Sequence, residues 1–122
     1  MTIKYSEDHE WIAIDGDIGT IGITDHAQSL LGDIVFVELP TVGTTVEAGA
    51  GVGVVESVKA ASDIFTPVSG DITEVNDDLD SEPSLANSEP TGRGWFFKIK
   101  LSVPAELESL MNEIAYKEFI AD

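Results

Sequence analysis

The stretch from Gly51 to Gly70 constrains the fold of this chain more than any other. Gly51-Val52-Gly53-Val54-Val55 on one side and Ile64-Phe65-Thr66-Pro67-Val68-Ser69-Gly70 on the other are rich in β-branched and aromatic residues. Such side chains suit a pleated surface. Between them, Glu56-Ser57-Val58-Lys59-Ala60-Ala61-Ser62-Asp63 supplies small residues for a turn, so the whole reads as a β-hairpin with Lys59 near its apex. Lys59 is also the only Lys or Arg between Lys4 and Arg93. Most lysines are solvated surface groups with no chemistry. This one differs in three ways. Val58, Ala60 and Ala61 offer no steric bar to an enzyme reaching the amine, no basic residue competes nearby, and two strands aim the side chain in one direction. A site of covalent attachment fits these features, which do not name the attached group.

The rest of the chain repeats the theme of short strands and glycine-bearing turns. Trp11–Ile14 and Ile18–Ile23 flank Asp15-Gly16-Asp17, a tight hairpin. Thr24 is placed to cap a short helix over Asp25–Leu31, with Ala27, Leu30 and Leu31 as its apolar face and Gly32 as its stop. Ile34–Leu39 and Ile72–Val75 read as strands, and Asn76–Asn87 as a polar connector with one helical turn around Leu85. In Trp95–Leu101, residues Trp95, Phe97, Ile99 and Leu101 alternate with Phe96, Lys98 and Lys100, the pattern of a half-buried strand. From Pro104 onward Leu107, Leu110, Met111, Ile114 and Phe119 recur at helical spacing, with Asn112 placed to end one helix and cap another. The expected fold is mainly β, a sandwich or flattened barrel with terminal helices.

At 122 residues the chain reads as a single domain, 1–122. Six Lys and Arg stand against 23 Asp and Glu, for a net charge of -17. That surface repels phosphate backbones and argues against nucleic-acid binding, while it favours partners with basic faces. The absence of cysteine removes disulfides and thiolate chemistry. Met1–Ser6 shows no signal region and no apolar run reaches membrane-spanning length, so a cytoplasmic protein without a membrane segment is expected. His9 and His26 lack metal-ligand spacing, and the acidic cluster Asp77, Asp78, Asp80, Glu82 lacks the pattern of a calcium loop, so no metal site is expected. Gly51-Val52-Gly53 lacks the Gly-Lys-Ser/Thr ending of a phosphate loop and reads as a close strand approach. No catalytic constellation is legible. A Schiff-base lysine needs a desolvated amine, which a hairpin apex does not provide.

Glu56–Asp63 followed by Pro67-Val68-Ser69-Gly70 resembles the lipoylation hairpin of glycine cleavage system H proteins. His9-Glu10-Trp11, Gly22–Asp25 with Ala27-Gln28, Leu31–Pro40 and Gly94-Trp95 are similar to that family's segments, in order, over nearly the whole chain. The resemblance implies a barrel-sandwich hybrid of lipoyl/biotinyl type, with a short helix in the N-terminal half and helices at the C-terminus. It implies lipoate joined by an amide to Lys59, with Glu10 and Asp63 at positions matching the cleft that receives the loaded arm. It further implies a non-catalytic carrier that shuttles the aminomethyl group of glycine from glycine decarboxylase to the tetrahydrofolate-dependent aminomethyltransferase, with reoxidation by dihydrolipoyl dehydrogenase. A lipoate ligase or a lipoyl/octanoyltransferase would modify it, and a monomer is expected. Two alternatives stay open. One is another carrier, though Val58-Lys59-Ala60 matches neither the Asp-Lys-Ala of 2-oxoacid dehydrogenase lipoyl domains nor the Met-Lys-Met of biotin carriers. The other is a lipoate relay or interaction module outside glycine cleavage.

Overall fold

The computed structural model describes residues 2–121. Nine strands and four α-helices follow in the order β1 (Thr2–Tyr5), β2 (Glu10–Asp15), β3 (Ile18–Ile23), α1 (Asp25–Leu31), β4 (Ile34–Glu38), β5 (Thr45–Val46), β6 (Gly51–Ser57), β7 (Ala61–Phe65), β8 (Gly70–Val75), α2 (Asp78–Ser81), α3 (Leu85–Ser88), β9 (Phe97–Leu101) and α4 (Glu113–Ile120). A 3₁₀ helix, Pro104–Ser109, precedes α4. The strands form a six-stranded sheet, β1-β2-β3-β9-β8-β5, and a three-stranded sheet, β4-β6-β7, both antiparallel and neither closed into a barrel. The fold is mainly β with C-terminal helices, as expected.

Alternation places one row of each strand between the sheets. Ile12, Ile21, Ile72, Phe97 and Ile99 from the larger sheet meet Val37, Val55 and Ile64 from the smaller in one buried cluster. Each such side chain contributes roughly 1.5–3 kcal/mol by leaving water. The close strand approach expected at Gly53 is present, because a β-carbon there would collide with the Glu38 carbonyl of β4. The register of β6 and β7 slips at this point, between Gly51 and Gly53.

Several sequence expectations need correction. The second strand of the central hairpin is Ala61–Phe65, earlier than the Ile64–Gly70 run. Ala61 and Ser62 extend and pair with Glu56 and Val55, so the loop shrinks to Val58-Lys59-Ala60. The alternation expected from Trp95 breaks at its start. Phe96 and Phe97 are both fully buried, whereas Trp95 is only half-buried. At this point the Asn76 amide donates to the carbonyls of Arg93 (2.7 Å) and Trp95 (2.8 Å), and the regular strand begins only at Phe97. In the C-terminal segment, Ile114 is 71% exposed and Tyr116 is the buried residue of α4. Leu30 likewise points outward from α1, where Ala27 is buried. The strands β1 and β5 and the single turn α2 have no counterpart in the sequence reading.

Candidate functional site: the Lys59 hairpin and its adjoining cleft

Ser57 builds the tip of the β6–β7 hairpin. Its backbone N–H donates to the Ala60 carbonyl at 2.8 Å, and its hydroxyl oxygen accepts from the N–H groups of Lys59 and Ala60, each at 3.1 Å. The Val58 N–H donates to the Asp33 carbonyl at 3.0 Å, which ties the loop to the approach to β4. The turn therefore has few degrees of freedom left. Lys59 is exposed, and among the described residues its amine makes no ion pair; the pairs present join Arg93 to Glu89, Lys98 to Glu74 and Lys117 to Glu113.

The Lys59 stem rests on the end of α1. Thr24 caps that helix by accepting from the Ala27 N–H at 3.2 Å, and Gly32 ends it at φ +81°, a conformation L side chains rarely adopt. Asn87, from α3, fastens this corner. Its amide donates to the Gly32 carbonyl (2.8 Å) and to Gln28 Oε1 (3.0 Å), and its Oδ1 accepts from the Ile34 N–H at 2.8 Å.

A cleft of about 160 Å³ lies beside α1, lined by Asp8, His9 and Glu10 from one segment, Ala27, Leu30 and Leu31 of α1, and Ser62, Asp63 and Ile64 of β7. The structure thus brings Glu10 and Asp63, more than fifty positions apart in sequence, to one cavity. Glu10 is buried, and Asp63 is exposed. The Ser6 hydroxyl donates to Glu10 Oε1 at 2.8 Å and accepts from the Glu10 N–H at 3.1 Å. Burial pushes the Glu10 carboxyl up to about 7, the Asp8 charge adds to this, and hydrogen bonds from Ser6 and the Phe65 backbone oppose it. A buried acid poised this way ionises readily when a cation arrives beside it. The cleft offers apolar walls for an aliphatic arm and carboxylates for a positive end.

His9, at φ +67°, also faces this region. Its Nδ1 is 2.9 Å from the Tyr116 hydroxyl, and its ring centroid is 4.8 Å from that of His26. Burial, with the nearby His26, lowers the His9 pKa against the opposing Asp8 charge. Among the described residues no group of three or more His, Cys, Asp or Glu side chains is placed to hold a metal ion. Sequence reasoning missed Ser6, Asp8 and Tyr116. Only the Ser6–Glu10 spacing of four residues was a local signal; the Tyr116 contacts span about a hundred positions. A larger cavity, about 610 Å³, lies along Tyr5, Trp11, Thr20 and Trp95, and none of its lining residues belongs to the hairpin.

Fold and site together define a carrier scaffold, a small β-structure that presents one lysine on a braced turn. The chain matches the family model described as Glycine cleavage H-protein over residues 3–122. It is 58% identical to a glycine cleavage system H protein of Escherichia coli over 121 residues, covering 98% of this chain and 94% of that one. A counterpart from Rhodospirillum rubrum is 55% identical, at 98% and 96% coverage. A crystal structure of a glycine cleavage system H protein from Mycobacterium marinum superposes with a TM-score of 0.87 at 38% identity, covering 96% of this chain and 94% of that one. The chain belongs to the glycine cleavage H-protein family. Its role is that of a lipoyl-carrier component of the glycine cleavage system.

Proposed function

We propose that Lys59 is the residue that carries lipoate, through an amide to its ε-nitrogen, and that the chain acts as one non-catalytic carrier domain, 1–122, monomeric and cytoplasmic. The observation that carries this reading is the Lys59 amine, exposed and free of ion pairs among the described residues, on a turn that Ser57 holds. Amide formation removes the charge and lengthens the side chain into an arm. The group, when bound, supplies a dithiolane that accepts and releases the one-carbon unit. The chain's residues do the rest: the hairpin offers the arm outward, and the acidic surface draws partners with basic faces.

The partners in this reading are glycine decarboxylase, which loads the aminomethyl group, the aminomethyltransferase, which passes its carbon to tetrahydrofolate, and dihydrolipoyl dehydrogenase, which reoxidises the dithiol. A lipoate ligase or lipoyl/octanoyltransferase modifies Lys59. Between encounters Glu10 and Asp63 hold the positive end of the loaded arm in the cleft, away from water. Support comes from the apolar lining and paired carboxylates of that cavity and from the raised pKa of Glu10.

Intact mass measurement tests the attachment. The wild-type chain gains the lipoyl mass, whereas Lys59→Arg keeps its fold, gains none and supports no glycine exchange. A lipoylated Lys59→Arg protein would refute the assignment. Reconstitution with the glycine-cleavage enzymes then separates a shuttle from a lipoate relay.

A further inference from the structure

We infer that Tyr116 is a positioning residue for the cleft, its hydroxyl joining two of the segments that wall it. The inference rests on the proposal that this cleft receives the loaded arm. Tyr116 belongs to α4, does not line the cleft, and is buried. Its oxygen is 2.9 Å from His9 Nδ1 and 2.7 Å from Thr24 Oγ1. His9 and Glu10 lie in one wall; Thr24 caps α1, whose Ala27, Leu30 and Leu31 form another.

One arrangement of protons satisfies every group. Thr24 Oγ1 accepts from the Ala27 N–H, so its own proton is free to go to the Tyr116 oxygen. Tyr116 then donates to His9 Nδ1, which accepts as a neutral imidazole protonated at Nε2. Bonds running in one direction strengthen one another. A backbone bond from the Thr24 N–H to the His9 carbonyl, 2.9 Å, links the same two segments independently. His9 sits at φ +67°, a backbone conformation few side chains adopt. The Tyr116 ring is itself anchored by stacking on Tyr5, with centroids 4.7 Å apart and planes 9° from parallel. The hydroxyl therefore sets the spacing between Glu10 and the α1 wall from outside the cavity.

Tyr116→Phe removes only the oxygen and keeps the stacked ring. In the unlipoylated variant, amide hydrogen exchange is expected to speed up roughly ten-fold at Thr24 and Ala27, the loss of about one net hydrogen bond. Exchange at Ser57 and Val58 in the Lys59 turn should stay unchanged, and Thr24→Ser, which keeps a hydroxyl, should match wild type. In the lipoylated, aminomethyl-loaded variant, water should release formaldehyde and ammonia several-fold faster than from wild type, while the rate of Lys59 lipoylation stays the same. Unchanged exchange at Thr24 and Ala27, or exchange raised equally in the hairpin, overturns the inference. So does faster exchange with an unchanged rate of release to water. If wild type takes no lipoyl group, the carrier proposal fails, and the exchange experiment still reads the brace by itself.

Discussion

The Lys59 side chain lies across the bare Cα of Gly32: a β-carbon there would stand 2.9 Å from Lys59 Cε and 3.6 Å from Nζ. The end of helix α1 is thus the bed for the stem of the proposed attachment site. Gly32→Ala forces the neighbour aside and strains a backbone at φ +81°. The expected outcome is a stability loss of about 1–3 kcal/mol together with a slower initial rate of lipoylation. Thermal unfolding and mass-resolved lipoylation kinetics check both, and a variant lipoylated at the wild-type rate removes Gly32 from the site.

Asn87 fastens the same corner through three hydrogen bonds. Asn87→Ala leaves the Ile34 N–H without its partner in a residue only 3% exposed. A loss of about 1–3 kcal/mol follows from one unsatisfied buried donor, measurable as a shift in the urea midpoint at constant slope. A change below a few tenths of that range means water replaces the amide at no cost.

Glu10 makes stability depend on pH. Its carboxyl is raised from 4.5 to about 7 by burial first, so the folded chain keeps a proton that the unfolded chain gives up between those values. This contribution to folding is complete below the unfolded value and is lost as pH rises through the folded one. Glu10→Gln, neutral at every pH, should therefore equal wild type near pH ~4 and exceed it near pH ~8, by no more than about 3 kcal/mol. A difference that does not vary with pH sinks the account.

His9 shifts the other way. Its pKa lies below the ordinary 6.5 because of burial and then His26, with Asp8 opposing. The folded chain holds fewer protons than the unfolded one in that region, so this term favours folding at higher pH and is lost as pH falls through 6.5. His26→Asn removes the neighbouring charge. The His9 titration followed by NMR should move upward, and an unmoved midpoint means burial alone sets it.

Much of this molecule was legible locally. Thr24 and Asn112 cap the helices they were expected to cap, since a cap needs only a side-chain oxygen three residues before a free N–H. Gly32 and Gly16 sit at positive φ where the chain had to stop or turn. The Lys59 hairpin was legible because β-propensity, small turn residues and a lone cation coincide within twenty positions. Burial was less legible. Helical spacing pointed to Ile114, whereas Tyr116, stacked on Tyr5, is the residue that α4 buries.

By itself, then, the sequence determined the strand-rich class, the exposed lysine at a turn, the bounds of α1 and the acidic surface, because each follows from neighbouring residues or from a sum over the chain. Tertiary structure alone decided which distant groups meet. Glu10 and Asp63 share a cavity because β2 of the larger sheet and β7 of the smaller both reach it beside α1. Burial, which only the packed fold creates, is what raises the Glu10 pKa, and the Tyr116 hydroxyl reaches His9 and Thr24 only after the C-terminal helix has docked.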